Sequence, residues 1–324
     1  MDRLNVAKIV VTGKIPEVAL EKLKSSHDVL AWENPTPIPR EELLTRVSGA
    51  NVIVSLLTEK IDDEVLSAAG SNLQAVCNVA VGYNNIDVVA CKNKNILVTN
   101  TPGVLTDATA DIALGLILMV TRRLAEGERV IRKQEPWAWG MSYMLGSGIQ
   151  NRTLGIVGMG QIGIATALRA KSFGMEIIYT RRNRLDEKTE QQLSAKYVSL
   201  DELLQQSDIV SLHCPYSTET HHLISEAQLS KMKKSSYLIN TARGPIVDEE
   251  ALANALIRKT IAGAGLDVYE NEPKVNEKLL TLDNVVLLPH LGSATVETRT
   301  AMATTAANNA LEILKGNKPL NPVN

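Results

Sequence analysis

Along the first third of the chain, short runs of β-branched and other apolar residues alternate with amphipathic stretches, at 8–11, 16–25, 40–47, 51–56, 62–69 and 73–77. Strand-like and helix-like runs in alternation predict a parallel sheet with helices on both faces. Pro16 and Pro39 stand where proline is tolerated, in the first turn of a helix. A second series starts at Thr153-Leu154-Gly155-Ile156-Val157-Gly158 and continues through apolar runs at 176–179, 208–212, 237–239, 262–265 and 285–287. The pattern predicts an α/β fold of two doubly wound parallel-sheet domains.

Between the two series lies 107–124 (DATADIALGLILMVTRRL), apolar nearly all round. A helix of this kind must be covered by another domain or subunit, and a dimer interface is the expected use. Its most apolar part, 112–120, is far shorter than the roughly 20 residues that cross a bilayer. The last helical stretch, 294–315, is rich in alanine, so it can pack closely and is expected back against the first unit. That makes the smaller domain discontinuous.

Composition narrows the choice of partner. With 324 residues, 44% of them hydrophobic, the chain is long enough for two ordinary cores. A net charge of −2 offers no broad cationic surface to phosphate backbones or anionic lipid. Cys77, Cys91 and Cys214 are odd in number and far apart, which suits reduced thiols rather than a disulfide framework. Residues 1–4 lead into the strand-like 7–11 without the basic and apolar stretches of a signal peptide, so a cytoplasmic protein with a small-molecule partner is expected.

Gly158-Met159-Gly160-Gln161-Ile162-Gly163 is a G-x-G-x-x-G run between an apolar strand and a helical stretch at 164–170. In that setting the first glycine permits a tight turn, the second lets the backbone approach a pyrophosphate, and the third lets helix and strand pack closely. The helix start, at Gln161 and Ile162, then presents N–H groups and a partial positive charge to the phosphates. The next strand ends in Thr180-Arg181-Arg182-Asn183-Arg184, with no acid before Asp186. A carboxylate there would hold the ribose hydroxyls of NAD and repel a 2′-phosphate, whereas guanidinium groups bind that phosphate by paired, charge-assisted hydrogen bonds. Thr180, Arg181 and Arg182 therefore point to NADPH (NADP), with NADH as the second cofactor.

Three later segments bear on the chemistry: Asn240-Thr241-Ala242-Arg243-Gly244-Pro245-Ile246-Val247-Asp248, Gly265-Leu266-Asp267-Val268-Tyr269-Glu270-Asn271-Glu272-Pro273, and Leu288-Pro289-His290-Leu291-Gly292-Ser293-Ala294-Thr295. With the glycine run they resemble, in order and spacing and over essentially the whole chain, the signatures of the D-isomer-specific 2-hydroxyacid dehydrogenase family. The resemblance implies a Rossmann coenzyme domain at 101–288 and a flavodoxin-like substrate domain formed by 1–100 and 289–324. It also implies an active site in the cleft between them, a homodimer, and reduction of a small 2-oxo acid to the D-2-hydroxy acid.

Such a reduction develops negative charge on the carbonyl oxygen, so it needs a cation and a proton donor there. By the resemblance, Arg243 binds the carboxylate and polarises the carbonyl, and His290 donates the proton in reduction and takes it in oxidation. Glu272 hydrogen-bonds the imidazole and favours its charged form. Asp267 corresponds to the family's aspartate at the nicotinamide end, and Cys214-Pro215 to its loop after a coenzyme-domain strand. Thr109, Thr241, Ala242 and Gly292 are carried over as further cofactor contacts. Residues 78–87 resemble the substrate loop, in which Val81 and Gly82 offer backbone N–H groups to the carboxylate. Leu56 or Leu57 lines the pocket, and Ser293 completes the substrate set.

His213, Cys214, His221 and His222 do not match a compact zinc spacing, and adjacent histidines on a regular element point apart, so no metal is expected. Trp137 and Trp139 lie in a Pro- and Gly-punctuated loop and are expected to be covered, by the cleft, by a partner subunit or by simple packing. Within the family, the arginines after Thr180 and the run 291–295 look like glyoxylate/hydroxypyruvate reductases and the related 2-ketogluconate reductases. Glu272 stands where formate dehydrogenase has glutamine. A phosphoglycerate dehydrogenase fits less well, because many carry a further C-terminal domain and the arginines suit an NAD site poorly. The rival from another class is a dinucleotide-sensing scaffold like the C-terminal-binding-protein corepressors, which is expected to carry long disordered tails and basic segments.

Overall fold

A computed structural model describes residues 6–324; residues 1–4, read above as lacking a leader, lie outside them. The chain divides into two compact units, one running to Leu105 and resuming at Ala294–Asn324, the other spanning Thr106–Ser293.

The first unit opens with β1 (Lys8–Val11), α1 (Glu17–Lys24), β2 (Asp28–Ala31), α2 (Arg40–Val47) and β3 (Val52–Ser55). It continues through α3 (Asp63–Ala69), β4 (Ala75–Asn78), α4 (Val88–Asn93) and β5 (Leu97–Thr99). Its five strands are all parallel in the order β2-β1-β3-β4-β5, the flavodoxin-like winding. Both β3 and β4 are buried at every residue, which is why they read as continuous apolar runs rather than alternating ones.

The second unit begins with α5 (Thr106–Thr121), α6 (Leu124–Arg132), β6 (Thr153–Val157), α7 (Gln161–Ser172) and β7 (Glu176–Thr180). Then come α8 (Glu187–Leu193), β8 (Ala195–Tyr197), α9 (Leu200–Gln206), β9 (Ile209–Leu212) and α10 (Glu226–Leu229). It closes with β10 (Tyr237–Asn240), α11 (Glu249–Ile257), β11 (Gly263–Leu266), α12 (Glu277–Leu280) and β12 (Val285–Leu287). The seven strands form a parallel sheet in the order β12-β11-β10-β9-β6-β7-β8. The strand order reverses at the β6–β9 pair, and in such sheets ligands bind off the strands' carboxyl ends at that point. The strands that the sequence pattern did not mark are β2, β5 and β8. All lie at sheet edges and are only three or four residues long, too short to show a period.

The chain then returns to the first unit in α13 (Val296–Leu314), where Thr295 Oγ1 caps the helix by accepting from Thr298 N at 3.0 Å. Ala303, Ala306, Ala307 and Ala310 are buried against α1, β3 and β4, as the alanine-rich pattern leads one to expect. The boundaries fall five residues later than those read from the sequence. Helix α5 starts only at Thr106, and residues 289–293 stay with the second unit because the N–H groups of Leu291 and Gly292 bind Asp267.

The apolar helix differs from its expectation in two ways. It stops at Thr121, before Arg123 turns the chain at φ 55°, and one face lies within its own unit's core rather than waiting for a partner. Leu116 and Ile117 are fully buried there with Leu154, Ile156 and Ile239. Glycines in β11 let it come this close: a Cβ on Gly265 would lie 3.0 Å from Leu116 Cβ, and one on Gly263 3.0 Å from Val120 Cγ2. Ile112, Leu114, Leu118 and Met119 are only partly covered.

Candidate active site

The residues singled out in the second unit gather where its strands end. After β6 the chain turns through Gly158 at φ 95°, in the left-handed region that favours glycine. A Cβ there would lie 2.4 Å from Cys214 N, and one on Gly163 would lie 2.6 Å from the Gly158 carbonyl oxygen. Gly160 differs, because a Cβ built on it meets nothing within 4 Å. It is the N-cap of α7, whose first turn, Gln161 to Gly163, has no side-chain cap. Uncapped first-turn N–H groups make a ready anion site. At the end of β10, Thr241 Oγ1 is buried with no hydrogen-bond partner among the described residues. Open space at Gly160, an uncapped helix start and an orphaned hydroxyl fit a bound dinucleotide, which would satisfy all three.

The neighbours of this turn have other duties. Thr180 accepts from Gly158 N through its carbonyl at 2.9 Å. Arg181 Nη1 donates to the Met159 carbonyl at 3.1 Å, whereas Arg182 is exposed and makes no hydrogen bond or ion pair among the described residues. Burial pushes the Cys214 thiol up to about 11, so it stays neutral beside Gly158. Pro215 accepts from Thr220 Oγ1 through its carbonyl at 2.8 Å. His213, lowered to about 4 by burial, is neutral at pH 7, with its Nε2 2.8 Å from Ser211 Oγ. Thr109, in α5, uses its hydroxyl to donate to the Gly292 carbonyl at 3.0 Å, which ties down the loop after β12.

Arg243, Glu272 and His290 follow β10, β11 and β12 in turn. Asn240 shapes the first loop: its Nδ2 donates to the Arg243 carbonyl at 2.9 Å and its Oδ1 accepts from Ala242 N at 3.0 Å. Arg243 Nη1 donates to the Ala242 carbonyl at 2.7 Å. Burial pulls the Arg243 pKa down and the Glu272 charge pulls it back, but a guanidinium remains protonated through such changes. Glu272 Oε1 accepts from Tyr269 N at 3.0 Å, and its Oε2 lies 2.8 Å from His290 Nδ1. Burial raises the Glu272 pKa, yet the hydrogen bond and charge of His290, with smaller help from Tyr269 N and Arg243, hold it below its ordinary value.

His290 sits at φ 54°, a left-handed conformation that costs a non-glycine residue roughly 1 kcal/mol or more and persists only where the surroundings over-determine it. Asp267 supplies that constraint. It is fully buried and accepts from Leu291 N at 2.6 Å and Gly292 N at 2.7 Å. Burial raises the Asp267 pKa, and the two N–H groups only partly offset it. Ser293 follows, half-buried. Asn240 and Tyr269 were missed as positioning residues, although both lie inside the motif segments quoted above. Tyr269 reaches the Leu288 carbonyl through its hydroxyl at 2.8 Å, and only the packing of β11 beside β12 reveals that bond.

In the first unit, Leu57, Val81 and Gly82 are half-buried at the ends of β3 and β4. The Val81 carbonyl accepts from Asn100 Nδ2 at 2.8 Å and the Gly82 carbonyl from Asn78 Nδ2 at 2.9 Å. Asn85 Nδ2 reaches the Leu56 carbonyl at 2.9 Å, joining the two loops. The N–H groups of Val81 and Gly82 find no partner among the described residues.

One further expectation needs correction and another is narrowed. His221 and His222 do not point apart: they leave a short 3-10 turn with rings stacked at 4.0 Å, and His222 Nε2 lies 2.6 Å from Glu270 Oε1. Simple packing does not cover Trp137 and Trp139 in the single chain, where they are 56% and 81% exposed in a run that also exposes Met141 and Leu145. Among the described residues, no three His, Cys, Asp or Glu side chains gather to hold a metal, and no helix is long and apolar enough to cross a membrane.

Comparison with known proteins agrees with this geometry. Residues 114–292 match the family model described as D-isomer specific 2-hydroxyacid dehydrogenase, NAD binding domain. A glyoxylate reductase of Thermococcus litoralis is 46% identical over 321 residues, covering 98% of this chain and 96% of the relative. A crystal structure of a glyoxylate reductase from Paecilomyes thermophila superposes with a TM-score of 0.89 at 37% identity, over 98% of each chain. An NADPH-dependent glyoxylate/hydroxypyruvate reductase from Sinorhizobium meliloti, solved with NADP and malonate, gives a TM-score of 0.85 at 35% identity, over 98% of this chain and 96% of that one.

Proposed function

Since the chain belongs to the D-isomer specific 2-hydroxyacid dehydrogenases, NAD(P)-dependent oxidoreductases acting on CH–OH donors, we propose that it reduces glyoxylate or hydroxypyruvate with NADPH. The observation that carries this reading is the Glu272–His290 pair at 2.8 Å beside Arg243. With Nδ1 facing the carboxylate, Nε2 of His290 is the ring nitrogen left to give a proton to a substrate oxygen. Glu272 stabilises the protonated ring by opposite charge. Arg243, charged at every working pH, binds the substrate carboxylate and draws electron density from the carbonyl. The bound nicotinamide supplies the hydride. Val81 and Gly82, with unused N–H groups, are assigned to the substrate carboxylate, and Leu57 and Ser293 to the rest of the substrate.

The NADPH assignment rests on the missing acid after β7, on exposed Arg182, and on the likeness to the NADPH-dependent enzyme of Sinorhizobium meliloti. A homodimer is part of the same reading. The half-covered face of α5 and the exposed Trp137, Trp139, Met141 and Leu145 make an apolar surface that a monomer would leave in water. The test is steady-state oxidation of NADPH and NADH with glyoxylate, hydroxypyruvate and 2-ketogluconate. Efficient turnover of one of the two smaller acids with NADPH supports the reading, and failure to oxidise either cofactor with any of the three rejects it.

A further inference from the structure

The loop after β7 carries three arginines, and the structure gives them unequal circumstances. Tyr179 is fully buried, yet its hydroxyl is doubly engaged, accepting from Leu185 N at 2.9 Å and donating to Glu190 Oε1 at 2.5 Å. Glu190, itself buried on α8, receives Arg184 through Nε at 2.9 Å and Nη2 at 2.8 Å. A two-pronged guanidinium–carboxylate pair of this kind is both strong and directional. Arg184 and then the Tyr179 hydroxyl hold the Glu190 carboxyl down to about 2, so the pair stays charged at any ordinary pH. At the other end of the loop, Arg181 is tied by its guanidinium to the Met159 carbonyl and by its own carbonyl to Tyr197 Oη at 3.3 Å. Residues 181 and 185 are thus pinned, and Arg182 and Asn183 form an exposed tip.

We propose that Tyr179, Arg184 and Glu190 form a bolt that sets this loop for a 2′-phosphate, with Arg182 meeting the phosphate and Arg184 serving as a strut. The inference rests on the NADPH reading and sharpens it. Arg184 has its charge matched and two of its N–H groups spent, so it has little left for a second anion. A loop ordered before the cofactor arrives does not have to be ordered by binding, which is where preorganisation gains affinity. Tyr179 and Glu190 are then positioning residues, three and eight positions in sequence from Arg182.

The test compares kcat and KM for NADPH and NADH in the wild type, Tyr179→Phe, Glu190→Gln and Arg182→Ala, with amide exchange at Leu185 as a second readout. Arg182→Ala should lower the NADPH-to-NADH ratio of kcat/KM by about tenfold or more, the worth of a lost charge-assisted contact. Tyr179→Phe and Glu190→Gln should lower that ratio by about threefold to tenfold, acting mainly on KM for NADPH, and should speed exchange at Leu185. Tighter NADPH binding in Glu190→Gln would overturn the proposal, because it would mean that a freed Arg184 reaches the phosphate. Equal losses with both cofactors would also overturn it, as general damage to the unit. A wild type that uses both cofactors equally refutes the NADPH reading and the bolt's role with it. A wild type that favours NADPH, beside Tyr179 and Glu190 variants that leave the ratio unmoved, refutes the bolt alone.

Discussion

Replacing Glu272 by glutamine keeps the shape and leaves an oxygen to accept from His290 Nδ1, but removes the charge opposite the ring. Burial raises the Glu272 pKa, but the hydrogen bond and charge of His290 hold it below the ordinary carboxylate range, so its charge is present at neutral pH and is lost only as pH falls through that lowered value. On the proposed roles this carboxylate supports the positive charge of the ring during reduction, and its loss in the variant should slow turnover wherever the wild-type carboxylate is ionised. The size of the effect follows from the geometry. The two side chains approach to 2.8 Å and each is 34% exposed. Unit charges about 4 Å apart attract by about 1 kcal/mol in water and about 4 kcal/mol at an effective dielectric of 20, and exposure on this scale keeps the pair near the lower figure. A loss of about 1–2 kcal/mol lowers turnover by about fivefold to thirtyfold. The assay is the initial rate of NADPH oxidation with saturating glyoxylate at neutral pH for both proteins. Unchanged turnover in Glu272→Gln would refute the assignment of Glu272 as the charge that supports the ring.

Three further outcomes follow from the same structure. The wild type should use NADPH at least about tenfold more efficiently than NADH, and replacing Arg181 and Arg182 together should narrow the gap through NADPH affinity, as initial-rate kinetics with both cofactors will show. Asp267→Asn leaves one of two buried N–H groups facing a donor instead of an acceptor, so thermal or urea unfolding should register a loss of about 1–3 kcal/mol, with a lower kcat as the His290 loop relaxes. Sedimentation equilibrium at micromolar concentration should report a dimer, and a monomer would contradict the role given to the exposed apolar surface around Trp139.

Much of this was legible in the sequence because parallel sheets announce themselves. Strands buried on both faces, such as β3, β4, β9 and β11, are mostly apolar, and the few polar residues they bury, Ser55, Asn78 and Ser211, are hydrogen-bonded. Gly158 and Gly163 were readable because the places they occupy admit no side chain. What the pattern concealed depends on distant neighbours. The apolar surround of 107–124 suggested a partner, whereas glycines at 263 and 265 admit one face of that helix into its own core. Arg181 and Arg182 were legible as candidates for the phosphate, but the task of Arg184 was not, because its partner Glu190 lies six residues further on and meets it only in the fold. Asp267 was assigned to the cofactor, and only the register of β11 beside β12 shows it gripping the backbone that follows His290.

The role of His290 is the point on which the chemistry turns, and His290→Ala tests it most directly. Turnover of glyoxylate with saturating NADPH should fall roughly 10²–10⁴-fold at every pH, the usual contribution of a positioned proton donor, while NADPH binding measured by fluorescence titration persists. Near-normal turnover in His290→Ala would show that the proton comes from elsewhere.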